Sequence, residues 1–294
     1  MFRSVESMLV AAREPGKTLP GVVLAEESAE TGVPEAEIRE RIARTLSVMR
    51  SAIDEGLKGD VRSPSGLTGG RARRLHENGP RLMGDRVTLV LARAISTLEV
   101  NAAMGLIVAA PTAGAAGVLP AIMLSAGEFT GMDEDRLVDA MLVAGGVGGV
   151  VAQRASLAGA EGGCQAETGT AAAMGAAAVT WASGGTDDQV ATSVALCLQG
   201  MLGLICDPIG GLVEIPCIYR NASAAMQAMA SAEMALAGLD FPVPADEVID
   251  VMGEVGRKMP AAYRETARGG LATTPAARKL VQIRPADEPT GISR

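Results

Sequence analysis

Three of the four cysteines are the residues best suited to chemistry in this chain of 294 residues. Cys164 lies in AEGGCQAETG, Cys206 in LICDPIGG and Cys217 in VEIPCIYRNA, so each is close to Gly or Pro, where loops and turns are expected. Cys197 differs because it lies within the apolar run VALCLQGMLGL, which predicts a small buried hydrophobe in a helix. The three loop cysteines are therefore the candidate metal ligands.

The spacing of these cysteines restricts the kind of site they could form. They are 42 and then 11 residues apart, whereas structural zinc sites normally use four tightly spaced ligands. Zinc would also need a fourth ligand from His76, the only histidine, or from a carboxylate. A 4Fe-4S cluster can be held by three thiolates, which leaves one iron open as a Lewis acid. The spacing alone is compatible both with such a cluster and with three unconnected loop cysteines.

Polar residues in two interrupted segments are candidates for binding a substrate. Ser65 and Thr68 lie in SPSGLTGG, where they could donate hydrogen bonds to a carboxylate; ordinary turn formation explains the same residues. Thr112 in APTAG is a similar candidate. His76 and Thr68 are the candidates for a catalytic role, since an ordinary histidine pKa of about 6.5 suits a base. The charged sequence RARRLHEN around His76 favours a solvated surface helix over a catalytic role for this histidine.

Charged residues also flank the cysteines. Glu167, Asp207 and Glu214 would raise the pKa of nearby thiols, so helix capping or ion pairing explains them as well as catalysis does. Arg220 and Asn221 follow the third cysteine and could orient a bound cluster or substrate.

The elements that position these residues are predicted to be helices. Aromatic residues are only 2% of the chain, and strand-forming residues are few compared with Ala, Leu and Met. Near the N-terminus one apolar stripe recurs every three or four residues, as on one face of a helix. Its members are Ile38, Ile42, Leu46, Met49 and Ile53.

The remaining organisation follows from glycine, proline and small apolar residues. Residues 61–78 contain a proline and several glycines and are predicted to form a loop. Residues 86–239 are mostly apolar and small, which predicts the buried centre. We therefore expect an all-α fold, a single helical domain over residues 1–284 with glycine-rich loops around a cluster site. Residues 285–294 are predicted to be a disordered tail.

Charge and hydropathy argue against several classes of protein. The net charge is −8, and no basic block is interleaved with aromatic residues, so nucleic-acid binding is not expected. The most apolar stretches, 100–126 and 137–152, are interrupted by polar residues and proline or are too short to span a membrane. The first residues do not resemble a secretion signal, so we expect a cytoplasmic protein whose cysteines are reduced.

Five sequence blocks resemble the α subunit of the iron-sulfur-dependent bacterial L-serine dehydratases, over about residues 63–275. They are SPSGLTGG (63–70), EVNAAMGLIVAAPTAGAAGVLPA (99–121), EGGCQAETGTAAAMGAAA (161–178), CDPIGGLVEIPCIYRNA (206–222) and RETARGGLATTP (264–275). The resemblance implies an all-helical domain and a 4Fe-4S cluster held by Cys164, Cys206 and Cys217. It places Cys197 outside the ligand set and implies that pyridoxal phosphate is not used.

The same resemblance implies an L-serine ammonia-lyase that converts L-serine to pyruvate and ammonia. The serine hydroxyl would bind the open iron while a base removes the α-proton, and the aminoacrylate released would hydrolyse without the enzyme. Some members end in a cysteine that blocks the open iron, but this sequence ends in GISR, so that contact is not expected.

The family also uses a β domain with a Ser-Ser-His-Thr type motif that does not occur here, so we expect a β subunit as partner in a hetero-oligomer. Two alternatives stay open, a related cysteine desulfidase and a non-catalytic iron-sulfur scaffold.

Overall fold

A computed structural model describes residues 2–282, which are helical and contain two isolated bridges but no named strand. The α-helices of this part of the chain are α1 (Val5–Ala12), α2 (Leu19–Thr31), α3 (Glu35–Lys58), α4 (Arg71–Asn78), α5 (Asp85–Ala102), α6 (Val118–Thr130), α7 (Glu134–Arg154), α8 (Gly159–Gly162), α9 (Thr170–Ala182), α10 (Asp187–Gln199), α11 (Cys217–Leu236), α12 (Ala245–Lys258) and α13 (Pro275–Gln282). The all-α prediction is confirmed, and the predicted tail, 285–294, lies outside the described residues.

Helix α9 forms the centre of the fold because its sequence, TAAAMGAAAVTWA, is apolar on every side. It packs against α6, α7, α10 and α11. Small residues allow these helices to approach closely: a Cβ at Gly175 would lie 2.5 Å from Ile122, and one at Gly148 would lie 3.0 Å from the sulfur of Met174. This rigid helix follows directly after a π-helical turn, Gln165–Gly169, and so fixes the position of the segment that carries Cys164.

Helices α3 and α5 pack against each other at the side of this core. The apolar stripe predicted for α3 is confirmed, since Ile38, Leu46, Met49 and Ile53 are buried and Ile42 is partly buried. The helix ends at Gly59, which has the left-handed φ of 77° that glycine adopts readily.

The loop prediction for residues 61–78 was too long. Residues up to Gly70 form a loop, but α4 occupies Arg71–Asn78. The arginines and the buried alanine of this segment favour a helix, so the loop ends at the last of the preceding glycines.

One segment, residues 113–130, is long and apolar enough to cross a membrane. Within the fold 67% of this segment is buried, because α6 packs against α5, α9 and α11. Protein contacts thus account for its hydropathy.

Candidate functional site

Cys164, Cys206 and Cys217 come from three separate segments and meet at one place. Cys164 precedes the π-helical turn, Cys206 lies in a loop and Cys217 is the first residue of α11. The three thiols are close enough for the charge on Cys164 to raise the pKa of both others, and for that on Cys217 to raise the pKa of Cys206. The fold therefore brings together the three cysteines that the sequence singled out.

Burial dominates the chemistry of these thiols. It raises the pKa of Cys164 and of Cys206, and raises that of Cys217 to about 12. Two polar contacts are made at the sulfurs: Cys164 Sγ lies 2.8 Å from Thr168 Oγ1, and Cys206 Sγ lies 3.9 Å from Glu167 Oε2. Thiols of this kind stay protonated at neutral pH until a metal displaces their protons.

The three cysteines offer an all-thiolate donor set. Among residues 2–282, no three His, Cys, Asp or Glu side chains are grouped closely enough to hold one metal ion. A tetrahedral zinc ion requires all its sulfur ligands within about 2.3 Å of one point. In an iron-sulfur cluster each thiolate binds a different iron, so the sulfur atoms are further apart, and an all-thiolate donor set suits iron-sulfur chemistry. The donor set of these three cysteines therefore fits a 4Fe-4S cluster.

Gly159 packs closely against the cysteine site and leaves no room for a side chain at its own position. A Cβ at Gly159 would lie 2.5 Å from Glu167 Oε2 and 3.2 Å from Cys206 Sγ. Any larger residue would therefore displace the carboxylate or the thiol. The Glu167 carboxylate also accepts a hydrogen bond of 2.9 Å from Thr112 Oγ1, so Thr112, a predicted substrate-binding residue, lies beside the cysteines.

Backbone and ionic contacts hold the loop of Cys206 in place. Its N–H donates to the carbonyl of Tyr263 and its carbonyl accepts from the N–H of Glu265, both at 2.8 Å. The next residue, Asp207, is buried and forms an ion pair of 2.7 Å with Arg220. Arg220 is thus the cation of this site, and its charge lowers the pKa of Cys164 and Cys217 against the larger effect of burial.

Asn221 links the cysteine segments to the segment that follows Thr112. Its side-chain amide donates to the carbonyl of Gly114 at 2.7 Å and to that of Cys217 at 2.9 Å. Its oxygen accepts from the N–H of Gly117 at 3.0 Å. Asn221 is fully buried, so its role within this part of the chain is to fix the relative position of two backbone segments.

Two hydroxyl groups of the glycine-rich loop donate hydrogen bonds to glutamates in other segments of the chain. Ser65 Oγ donates to Glu214 Oε1 at 2.7 Å, and Thr68 Oγ1 donates to Glu99 Oε1 at 3.1 Å. Glu99 is fully buried and also accepts the N–H groups of Arg71 and Ala72, at 3.0 and 3.1 Å, which caps α4. The sequence reasoning missed Glu99, although a lone acid in the apolar stretch AISTLEVN was a signal for it.

His76 and Cys197 lie away from the three cysteines. His76 is exposed in the last turn of α4, in a shallow pocket lined with Arg86, Glu128 and Phe129. Cys197 is completely buried in α10, where burial raises its pKa to about 12. The prediction that Cys197 is a core residue is confirmed, and the role of His76 as a base stays a prediction that no contact supports.

Comparison with known proteins identifies the family of this chain. Residues 14–272 match the family model for the serine dehydratase alpha chain. The chain is 44% identical to the probable L-serine dehydratase, alpha chain, of Bacillus subtilis, with 95% of this chain and 94% of that protein covered. It is 40% identical to the L-serine dehydratase, alpha chain, of Peptoniphilus asaccharolyticus, covering 95% and 97%. It is 41% identical to the L-serine dehydratase of Streptomyces coelicolor, but spans only 60% of that protein. The chain therefore belongs to the serine dehydratase alpha chain family.

Proposed function

We propose that this chain is the iron-sulfur-bearing α chain of an L-serine dehydratase, an L-serine ammonia-lyase that forms pyruvate and ammonia. The observation that carries the proposal is the meeting of Cys164, Cys206 and Cys217 in a chain whose relatives are named for that activity. No pyridoxal phosphate is required. Reduced thiols are maintained in the cytoplasm, which is the location we propose.

Different residues of this chain would have different roles in the reaction. Cys164, Cys206 and Cys217 would hold a 4Fe-4S cluster, which when bound supplies a Lewis-acidic iron for the departing hydroxyl group. Burial of the thiols keeps bulk water away and strengthens electrostatic interactions at the site. Thr112 and Glu167 supply a polar side to the site. We assign the base that removes the α-proton to the β chain, since the family carries its Ser-Ser-His-Thr type motif there.

A β chain is the partner we propose. Two relatives are named alpha chains, and the chain spans about 60% of the Streptomyces coelicolor protein. Three large side chains adjoin the cysteine segments and are exposed, Tyr219 by 46%, Leu271 by 45% and Tyr263 by 37%. Exposed apolar and aromatic groups at the edge of a site are typical of a protein interface.

The test is an anaerobic assay of iron and sulfide, with absorbance near 400 nm, on wild type and on single Cys→Ala variants. We expect loss of the cluster from Cys164→Ala, Cys206→Ala and Cys217→Ala, and its retention in the matched control Cys197→Ala. With the β chain added, wild type should release pyruvate from L-serine. Faster turnover of L-cysteine would indicate a desulfidase, and absence of ammonia release from either amino acid would indicate a scaffold; both results would contradict the proposal.

A further inference from the structure

A cavity of about 400 Å³ lies between α2, α3 and α7. The described residues that line it come from 2–45 and 141–146, so none of them belongs to the segments that carry the three cysteines. Its volume is within the range of about 300 to 1,000 Å³ that is usual for sites of small molecules. Most of its wall is apolar, which favours a ligand with an apolar body. Six of the side chains that form this wall are Val23, Val33, Ile38, Ile42, Met141 and Leu142.

Two adjacent glycines of α7, Gly145 and Gly146, line the cavity but differ in their surroundings. A Cβ at Gly146 would lie 2.6 Å from Met8 Sδ and 2.8 Å from a methyl carbon of Val23, so this glycine allows α7 to pack closely against α1 and α2. A Cβ at Gly145 would meet no atom of another element within 4 Å. Glycine destabilises a helix interior relative to alanine, and no neighbouring element requires it at this position. Gly145 therefore keeps volume in the cavity open.

The charged side chains that line the cavity leave an excess of negative charge. They are Glu26, Glu27 and Arg41, but Arg41 already donates two hydrogen bonds to Glu37 Oε1, at 2.6 and 3.2 Å. Thr31 Oγ1 donates to the backbone carbonyl of Glu27 at 2.7 Å, whereas the partly buried carboxylate of Glu27 has neither an ion pair nor a hydrogen bond within residues 2–282. A cation beside this carboxylate would be favoured by Coulomb attraction and by a charge-assisted hydrogen bond.

We propose that this cavity binds a small apolar amine, with its hydrocarbon body against the wall and its ammonium group beside Glu27. The ammonium group supplies the positive charge and the N–H donors that this carboxylate lacks. Thr45 also lines the cavity; its hydroxyl donates to the carbonyl of Arg41 at 3.0 Å, so its oxygen lone pairs can accept a further hydrogen bond. The inference adds a second ligand site to the chain and does not depend on the proposed reaction.

The test compares hexylamine, hexan-1-ol and hexanoate, which share a six-carbon chain and differ in the charge of the head group. Binding to the full chain is measured at pH 7 by isothermal titration calorimetry and by the shift in Tm. We expect hexylamine to bind most tightly and hexanoate most weakly. Raising the ionic strength should weaken the binding of hexylamine and leave that of hexan-1-ol unchanged.

Changes at Glu27 test the contact with the head group. In Glu27→Gln we expect the Kd of hexylamine to rise about 3- to 10-fold and that of hexan-1-ol to change less than about 2-fold. Glu27→Lys should reverse the order, so that hexanoate binds more tightly than hexylamine. Glu233→Gln changes an exposed acid on α11 that is not among the lining residues, and as the matched control it should leave all three constants unchanged.

Changes at Gly145 test the position of the hydrocarbon body. Gly145→Leu places a side chain in the open volume, so we expect it to abolish the binding of hexylamine and of hexan-1-ol. The same change should raise the Tm of the free chain, since leucine is a better helix former than glycine. Gly145→Ala fills less of the cavity and should weaken binding by a smaller factor.

Several results would overturn the inference. Unchanged binding of hexylamine in Gly145→Leu would place the amine elsewhere on the chain, and equal affinities of the wild type for all three ligands would remove the role of charge. If the wild type forms dimers in sedimentation experiments and Gly145→Leu dissociates them, the cavity is an interface between copies of this chain. If Gly145→Leu does not fold, the reversal expected in Glu27→Lys decides the question, and its absence would reject the proposal.

Discussion

Glu99 and Glu167 both accept a hydrogen bond from a threonine hydroxyl, but their surroundings differ. Glu99 receives Thr68 Oγ1 and two backbone N–H groups at the start of α4, with the guanidinium of Arg71 at 3.9 Å. Glu167 receives the Thr112 hydroxyl but lies beside three thiols and near Glu265. Two backbone N–H groups and a hydroxyl donate to the first carboxylate, whereas burial and the charge of Glu265 outweigh the hydrogen bonds that the second receives and raise its pKa.

The difference separates a structural acid from one suited to a ligand. A buried carboxylate whose lone pairs are filled by the protein stabilises the fold and has little capacity left. A buried carboxylate whose pKa is raised contributes less to the stability of the fold when it is ionised. Binding residues are therefore better identified by their unsatisfied environment than by burial alone.

The largest effect is expected at Glu99. Glu99→Ala leaves the N–H groups of Arg71 and Ala72 and the hydroxyl of Thr68 without their acceptor in the interior. We expect the free energy of unfolding, from urea denaturation of the isolated chain, to fall by about 3 to 5 kcal/mol. Glu77→Ala, at an exposed pair with Arg73 on the same helix, should lower it only slightly. Equal losses in the two variants would contradict the structural role of Glu99.

A smaller effect is expected in the glycine-rich loop. Ser65→Ala removes the hydroxyl that donates to Glu214 at 2.7 Å and accepts the N–H of Leu67 at 3.1 Å. Since the contact is partly buried, we expect a loss of about 1 to 2 kcal/mol and faster amide hydrogen exchange of residues 63–70. Ser223→Ala, at an exposed site on α11 whose hydroxyl donates to the carbonyl of Tyr219, is the matched control. Unchanged exchange in Ser65→Ala would show that the loop is held by other contacts.

The cysteines and the apolar stripe of α3 could be predicted from the sequence, whereas the contacts of Glu99 and Glu167 could not. Cys164, Cys206 and Cys217 were identified because a cysteine beside Gly or Pro is unusual locally, and Cys197 was separated from them by its apolar neighbours. The apolar stripe of α3 was likewise visible in a short window.

The contacts that the sequence did not reveal are all tertiary. Glu99 and Thr68 are separated by 31 residues, and Thr112 and Glu167 by 55. Their pairing depends on how α5 packs against α3, α4, α6 and α11 and on how the π-helical turn packs against α9, which no local pattern encodes. The cap of α4 was missed for a related reason, because the carboxylate that caps this helix comes from α5 rather than from the loop itself.

The smallest effect is expected for Glu167→Gln in the isolated chain without iron. The change in unfolding free energy should be a gain here, whereas it is a loss for Glu99→Ala. Because the pKa of Glu167 is higher in the folded than in the unfolded chain, the folded form binds the proton more tightly. That stabilisation is complete below the unfolded pKa of about 4.5 and is lost as the pH rises through the folded value. Glutamine stays neutral, so the variant should match wild type near pH 4 and exceed its unfolding free energy at pH 7.

Urea denaturation of both proteins at a series of pH values measures this difference, and Glu161→Gln provides an exposed control. If the variant is less stable than wild type at pH 7, Glu167 has the same structural role as Glu99 and is required by the fold. Greater stability would mean that Glu167 is retained at the expense of the fold, which is expected of a group that binds a charged ligand.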